Sequence, residues 1–148
     1  MKEKESLIEI DPKDYDIVVK IKDEKDIVVA RQMVKDFAKR LNFSLGDVTK
    51  LSTAVSELAR NIYRYAGEGF IFVREINDKG SVVLEIVAYD NGPGIKDLNL
   101  AMQSGYSTTK GSFGLGLSGV KRLMDEFYIN SKVDKGTVVI VKKRRRNY

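Results

Sequence analysis

The chain has 148 residues with no cysteine and no histidine, which excludes disulfides, Cys-ligated zinc, thiol catalysis and a histidine phosphoacceptor within it. Hydrophobic residues at 43% and charged residues at 32% describe one soluble domain, large enough to bury a core without staples. The net charge of +5 equals the charge of Lys142, Lys143, Arg144, Arg145 and Arg146, so the rest of the chain is neutral. This run reads as a solvated basic tail over 142–148, outside a core of about 15–142, with an anionic partner as the alternative. No specific nucleic-acid partner is expected. The apolar runs are too short to span a membrane, and no apolar stretch follows the charged first five residues. A cytoplasmic location is the resulting expectation.

In chain order, residues 15–21 are rich in β-branched side chains and predict a strand. Asp23 opens a helix whose stripe is Ile27, Ala30, Val34, Phe37, Ala38 and Leu41. Ser44 with Asp47 resembles a capping box for a second helix, striped by Val48, Leu51, Val55, Leu58 and Ile62 and stopped at Gly67. Strands over about 69–76 and 81–89 flank a hairpin turn at 77–80. A glycine-rich stretch over 90–116 holds at most a short helix near 97–104, and a third main helix is predicted over about 117–126. Strands near 127–132 and 137–143 close the chain around a turn at 134–136. Strands joined by tight turns pair antiparallel, so the fold class is α+β: a two-layer sandwich, a mainly antiparallel mixed sheet with helices on one face.

Three constellations carry chemistry. Glu57 and Asn61, one turn apart on the second helix, project away from its apolar stripe, with Arg64 on the same polar side. A carboxylate beside an amide suits a base and a magnesium ligand, and the plain alternative is a solvated helix face. Asp90-Asn91-Gly92-Pro93-Gly94 follows an apolar strand. Asp90 is placed to accept from an exocyclic amine, and Gly92 and Gly94 let backbone approach a planar ring; the alternative is a simple turn. Finally, Gly114-Leu115-Gly116-Leu117 enters a helix, where free N–H groups suit phosphate. A polar loop precedes these glycines and Val138, Val139 and Ile140 stand where an acid belongs, so a dinucleotide-binding fingerprint fails. Neither a P-loop nor the H-R-D and D-F-G kinase motifs occur.

Glu-x-x-x-Asn on a helix, Asp-x-Gly-x-Gly after a strand and Gly-x-Gly opening a helix occur here in the order of the GHKL ATPase superfamily, and Gly136-Thr137 matches its Gly-Thr element. The resemblance spans about 20–142. It implies the Bergerat ATP-binding fold and a single ATPase/kinase domain. The segments 56–63 and 119–127 look like the anti-sigma-factor-type serine/threonine kinases, closest to the stressosome switch kinases. By that resemblance the cofactors are ATP and Mg²⁺. Asn61 would ligate the metal, Glu57 would activate the substrate hydroxyl, and Asp90 would read adenine in a pocket shaped by Gly92 and Gly94. Amides around Gly114, Leu115, Gly116 and Leu117 would hold phosphates, and Thr137 would lie near the adenine. The span 105–113 would form a lid whose Thr109 and Lys110 reach phosphate oxygens, Lys110 being equally placed as a solvated residue. The chain departs from the switch-kinase pattern in a longer, charged N-terminus, in Ser118 after the second glycine box and in the basic tail.

The resemblance implies STAS-domain antagonist or scaffold proteins as substrates and a downstream phosphatase as a further partner. The alternative is an anti-sigma factor that sequesters a sigma subunit and phosphorylates an antagonist. A nucleotide-dependent binding module without catalysis is a third possibility, against which the carboxylate of Glu57 speaks.

Overall fold

The structure, a computed structural model, describes residues 7–103 and 116–146. Strand β1 (Ile17–Ile21) leads into helices α1 (Glu24–Arg40) and α2 (Leu45–Asn61), and a π-helical turn (Ile62–Ala66) ends α2. The hairpin β2 (Gly69–Asp78) and β3 (Ser81–Asp90) follows, then α3 (Leu98–Ala101) and α4 (Gly116–Leu123). A second hairpin, β4 (Glu126–Lys132) and β5 (Gly136–Arg144), ends the described chain. Local chemistry sets most of these limits. The carboxylate of Asp26 accepts from the amides of Lys22 and Asp23 and so starts α1. Ser44 Oγ accepts from Asp47 N at 3.2 Å to cap α2. Lys79 and Gly80 turn β2 into β3, both at positive φ (53° and 87°), as a two-residue hairpin loop requires. The third main helix stops at Leu123, short of the expected 126, because Asp125 N already donates to Lys142 O.

The five strands lie in the order β1-β2-β3-β5-β4. All four pairings are antiparallel, so the sheet expected to be mainly antiparallel is wholly so. The reason is topological: β4 runs in the direction of β3, but its hairpin inserts β5 between them, so parallel strands are never neighbours. Helices α1, α2 and α4 cover one face, and the core between the layers holds Ile21, Leu51, Leu58, Ile71, Leu84 and Ile86. Each such side chain contributes about 1.5–3 kcal/mol on burial.

The opposite face is not bare. Phe72, Val87 and Val138 are buried there beneath Leu7, Ile10 and Tyr15. A short 3₁₀ turn (Pro12–Asp14), capped by Asp11, brings the Tyr15 ring to 5.3 Å from that of Phe72. Two covered faces explain the near-continuous apolar run of β3. They also account for its interruption. Glu85, 4% exposed, faces Arg74 of β2 and Lys142 of β5 in register, at 2.8 and 3.8 Å, and Arg74 lies over the Tyr15 ring at 4.8 Å.

The basic run is likewise part of the fold, and the reading of a solvated tail is corrected. Residues 142–144 belong to β5, and Lys143 is only 3% exposed. Its Nζ donates to Leu123 O at 2.9 Å and lies 3.8 Å from Asp47 and 3.7 Å from Asp125. Arg144 pairs with Asp78, Arg145 donates to Leu41 O at 2.8 Å, and Arg146 pairs with Asp125 at 3.1 Å. Sequence alone shows five like charges in a row. Only the sheet brings the acids and carbonyls that receive them.

Candidate nucleotide site

Helix α2 lies between α1 and α4, so it is buried on more than its apolar stripe. Ala54, Ser56 and Ala59 let the flanking layers approach, and Glu57 is enclosed with them at 1% exposure. The expectation that Glu57 lies on an open polar face is therefore corrected. Its Oε1 accepts from Arg60 Nη1 at 2.9 Å, one turn further on. Asn61, four residues after Glu57, reaches a cavity of about 420 Å³, a volume in the range of small-molecule sites.

The end of α2 decides the next contact. In a π turn the i→i+5 hydrogen bond widens the helix. Tyr65, four residues after Asn61, lines the cavity with Ala66; Arg64, three residues after it, is not on its wall. This corrects the placement of Arg64.

Asp90 ends β3 at the same cavity. Its carboxylate accepts from the amides of Gly92 (2.9 Å) and Thr137. Burial nevertheless pushes its pKa above the ordinary 3.8, opposed by those two amides. No cation pairs with Asp90 among the described residues. A carboxylate has about four lone-pair sites, so two amides leave acceptor capacity for a ligand amine.

The glycines after Asp90 are needed for protein packing. A Cβ on Gly92 would lie 2.6 Å from Ala66 Cβ, and Gly92 is behind the cavity wall rather than on it. Gly94, at φ 76°, lines the cavity, and a Cβ there would strike Lys132 O. The loop is stitched to the β4–β5 hairpin by Asp134 N to Pro93 O (2.8 Å) and Ile95 N to Ser131 Oγ (2.8 Å). The hydroxyls of Ser131 and Thr137 are 2.8 Å apart, which places Thr137 on the cavity wall beside Asp90. Ser131 was not singled out from sequence. Its position at a β4 register opposite Thr137 is the only signal that points to it.

Gly116 and Leu117, opening α4, complete the wall, so the helix begins at the cavity. The remaining lining is largely apolar: Leu58, Ile62, Ala88, Ile95, Leu100 and Val139 among others. None of these stood out in the sequence, because they are indistinguishable there from core residues. Of the predicted site residues, Asn61, Asp90, Gly94, Gly116, Leu117 and Thr137 share this cavity. Thr109, Lys110, Gly114, Leu115 and the expected lid lie outside the described residues.

The donor set suits a magnesium nucleotide. Apolar walls match a planar base, and Asp90 offers it an acceptor. Backbone amides at the start of a helix attract phosphate. Among the described residues no three His, Cys, Asp or Glu gather to hold a metal. Mg²⁺ needs no such cage, since it keeps several waters and takes oxygen ligands from phosphates and one or two side chains.

Among the described residues no helix is long and apolar enough to cross a membrane. Residues 46–147 match the family of histidine kinase-, DNA gyrase B- and HSP90-like ATPases. The serine/threonine-protein kinase RsbT of Bacillus subtilis is 50% identical over 121 residues, covering 82% of this chain and 90% of the relative. An anti-sigma F factor of Clostridium kluyveri is 36% identical over 119 residues, covering 77% and 82%. Among solved structures, the mycobacterial sensor histidine kinase MprB superposes with a TM-score of 0.52 at 19% identity, covering 89% of this chain and 99% of that one. The SiaB-SiaC complex of Pseudomonas aeruginosa gives 0.54 at 11%, covering 88% and 90%. At such identities these two likenesses speak to the fold alone. The chain belongs to the histidine kinase-, DNA gyrase B- and HSP90-like ATPase family, within which it is a serine/threonine-protein kinase that uses ATP with magnesium.

Proposed function

We propose that this kinase phosphorylates a serine or threonine of a STAS-domain protein in a bacterial stress-signalling partner switch, acting in the cytoplasm and, when released, binding a downstream phosphatase. The observation that carries the reading is a buried carboxylate, Glu57, one helical turn before the amide that lines the nucleotide cavity, Asn61. A binding module has no need of an acid there. Identity of 50% to a serine/threonine-protein kinase over most of both chains supports the same assignment.

In this reading Asn61 holds the metal through its side-chain oxygen, and Asp90 accepts from the adenine amine. Thr137, Gly94 and the apolar walls hold the base. Gly116, Leu117 and the preceding Gly114 and Leu115, together with Thr109 and Lys110, attend the phosphates. Glu57 takes the proton of the substrate hydroxyl as its oxygen bonds to the γ-phosphorus and the bond to the leaving ADP oxygen breaks. Bound Mg²⁺ neutralises charge on the phosphate oxygens. Positioning supplies most of the remaining rate.

The 36% identity to an anti-sigma F factor supports a second reading, in which the chain also sequesters a sigma subunit. One experiment separates them. The chain is mixed with labelled ATP and, in turn, with the STAS proteins and sigma factors of its host. Acid-stable phosphoserine or phosphothreonine on a STAS protein without sigma binding is the expected result. Tight sigma binding relieved by a STAS protein would establish the second reading, and no transfer to any STAS protein would overturn the first.

A further inference from the structure

Glu57 has a partner that its proposed role does not explain. Its side chain is 2% exposed and that of Arg60 18%, with Oε1 and Nη1 at 2.9 Å. Among the described residues Arg60 is the side chain seen to hydrogen-bond Glu57. Residues three apart on a helix are natural neighbours, and on a surface such a pair contributes little. Here the carboxylate is buried, where an ionised acid needs a compensating charge and a fixed donor. The contact is also specific in geometry. A guanidinium is planar and presents its donors in a rigid fork, so it fixes the direction of the carboxylate plane as well as its charge.

The location gives this a functional consequence. Arg60 adjoins Asn61 in sequence, and Asn61 lines the cavity, whereas neither Glu57 nor Arg60 is on the cavity wall. Arg60 is thus placed to orient the acid from behind. We propose that Arg60 is a positioning residue for phosphoryl transfer: it holds one oxygen of Glu57 so that the other faces the incoming hydroxyl. This inference rests on the reading of Glu57 as the base.

The test uses the full chain, labelled ATP with Mg²⁺, and whichever host STAS-domain protein the unmodified chain labels fastest. Arg60→Met keeps the aliphatic stem and removes the fork. It should lower kcat for transfer by about 10–100-fold, the usual effect of losing a residue that orients a functional group. The KM for ATP and calorimetric ATP affinity should stay within about threefold, since no nucleotide contact is lost. Arg60→Lys should recover part of kcat by restoring charge and one donor. In a Glu57→Gln background, Arg60→Met should add no further loss, because it acts only through the carboxylate. Where Arg60→Met lowers the melting temperature enough to prevent the assay, Arg60→Gln, which stays polar but is too short to reach the carboxylate where Nη1 does, replaces it.

Transfer by Glu57→Gln at near wild-type rate would overturn the base reading itself. Loss of transfer in Glu57→Gln, with Arg60→Met or Arg60→Gln at near wild-type kcat, would overturn only the role of Arg60. Equal losses in kcat and ATP affinity, unrelieved by Arg60→Lys, would likewise overturn it and leave a residue that supports the fold.

Discussion

Strands β3 and β5 lie side by side in opposite directions, and their two ends treat buried charge in opposite ways. At one end, Asp90 pairs in register with Thr137, and its carboxylate accepts from the backbone amides of Gly92 and Thr137. Towards the other, Glu85 is matched by Arg74 and Lys142, and Lys143 by Asp47, Asp125 and the Leu123 carbonyl. Both ends bury ionisable groups. The difference is that, among the described residues, the charge at the far end meets opposite charge and that of Asp90 does not. A compensated buried charge holds architecture together. A desolvated carboxylate with spare acceptor capacity at the mouth of a cavity is prepared for a ligand.

Substitutions at the two ends should therefore separate stability from binding. The largest effect is expected from Lys143→Met, which leaves Asp47 without its cation at the junction of α2, α4 and β5. Removing one member of a buried pair costs about 3–5 kcal/mol, and the lower part of that range is expected because Asp125 keeps Arg146. Denaturant unfolding measures this. ATP affinity of the folded variant should stay within about threefold, and a severe loss of affinity at unchanged stability would merge the two ends into one system.

Asp90→Asn should do the reverse. A hydrogen bond to a charged group contributes about 1.5–3 kcal/mol, so ATP affinity should fall roughly 10–150-fold by calorimetry. Stability without nucleotide should hold or rise, because a half-buried charge with no cation beside it among the described residues has been removed. A destabilised variant with intact affinity would break the comparison.

The smallest effect is a pH dependence. Burial raises the Asp90 carboxyl above its ordinary 3.8, so the folded chain holds that proton more tightly than the unfolded chain. As pH rises from 3.8 through the folded value, the unfolded state ionises first and the stability contributed by protonated Asp90 is lost. The melting temperature of Asp90→Asn should thus gain on wild type across that window and run parallel above it. A gap that shrinks as pH rises would show that the two amides outweigh burial.

The site was legible where it rests on short-range chemistry. Asp90 at a strand end, Asn61 one turn after an acid, and Gly116 opening α4 each announce themselves within a few residues, and all three meet at one cavity. It was illegible where a neighbour from far along the chain decides the outcome. Glu57 reads as exposed on a helical wheel because the wheel shows one stripe, whereas α2 has neighbours on both sides. Arg64 reads as a site residue, yet the side chain on the cavity wall beside Asn61 is Tyr65.

The amino-acid sequence by itself determined the helices, hairpins, caps and turns of this protein, because periodicity, capping oxygens and positive-φ turn residues act within a few positions of one another. Tertiary structure alone decided the burial of Glu57 against Arg60 and the packing duty of Gly92 and Gly94. It also decided the conversion of a basic run into ion pairs and carbonyl contacts, of which those of Lys143 are buried. Each depends on which strand or helix arrives alongside, and β5 arrives between β3 and β4 only when the whole sheet forms. Periodicity says which residues share a face. What that face meets is set by chain segments tens of residues away, and burial and charge compensation follow from the meeting.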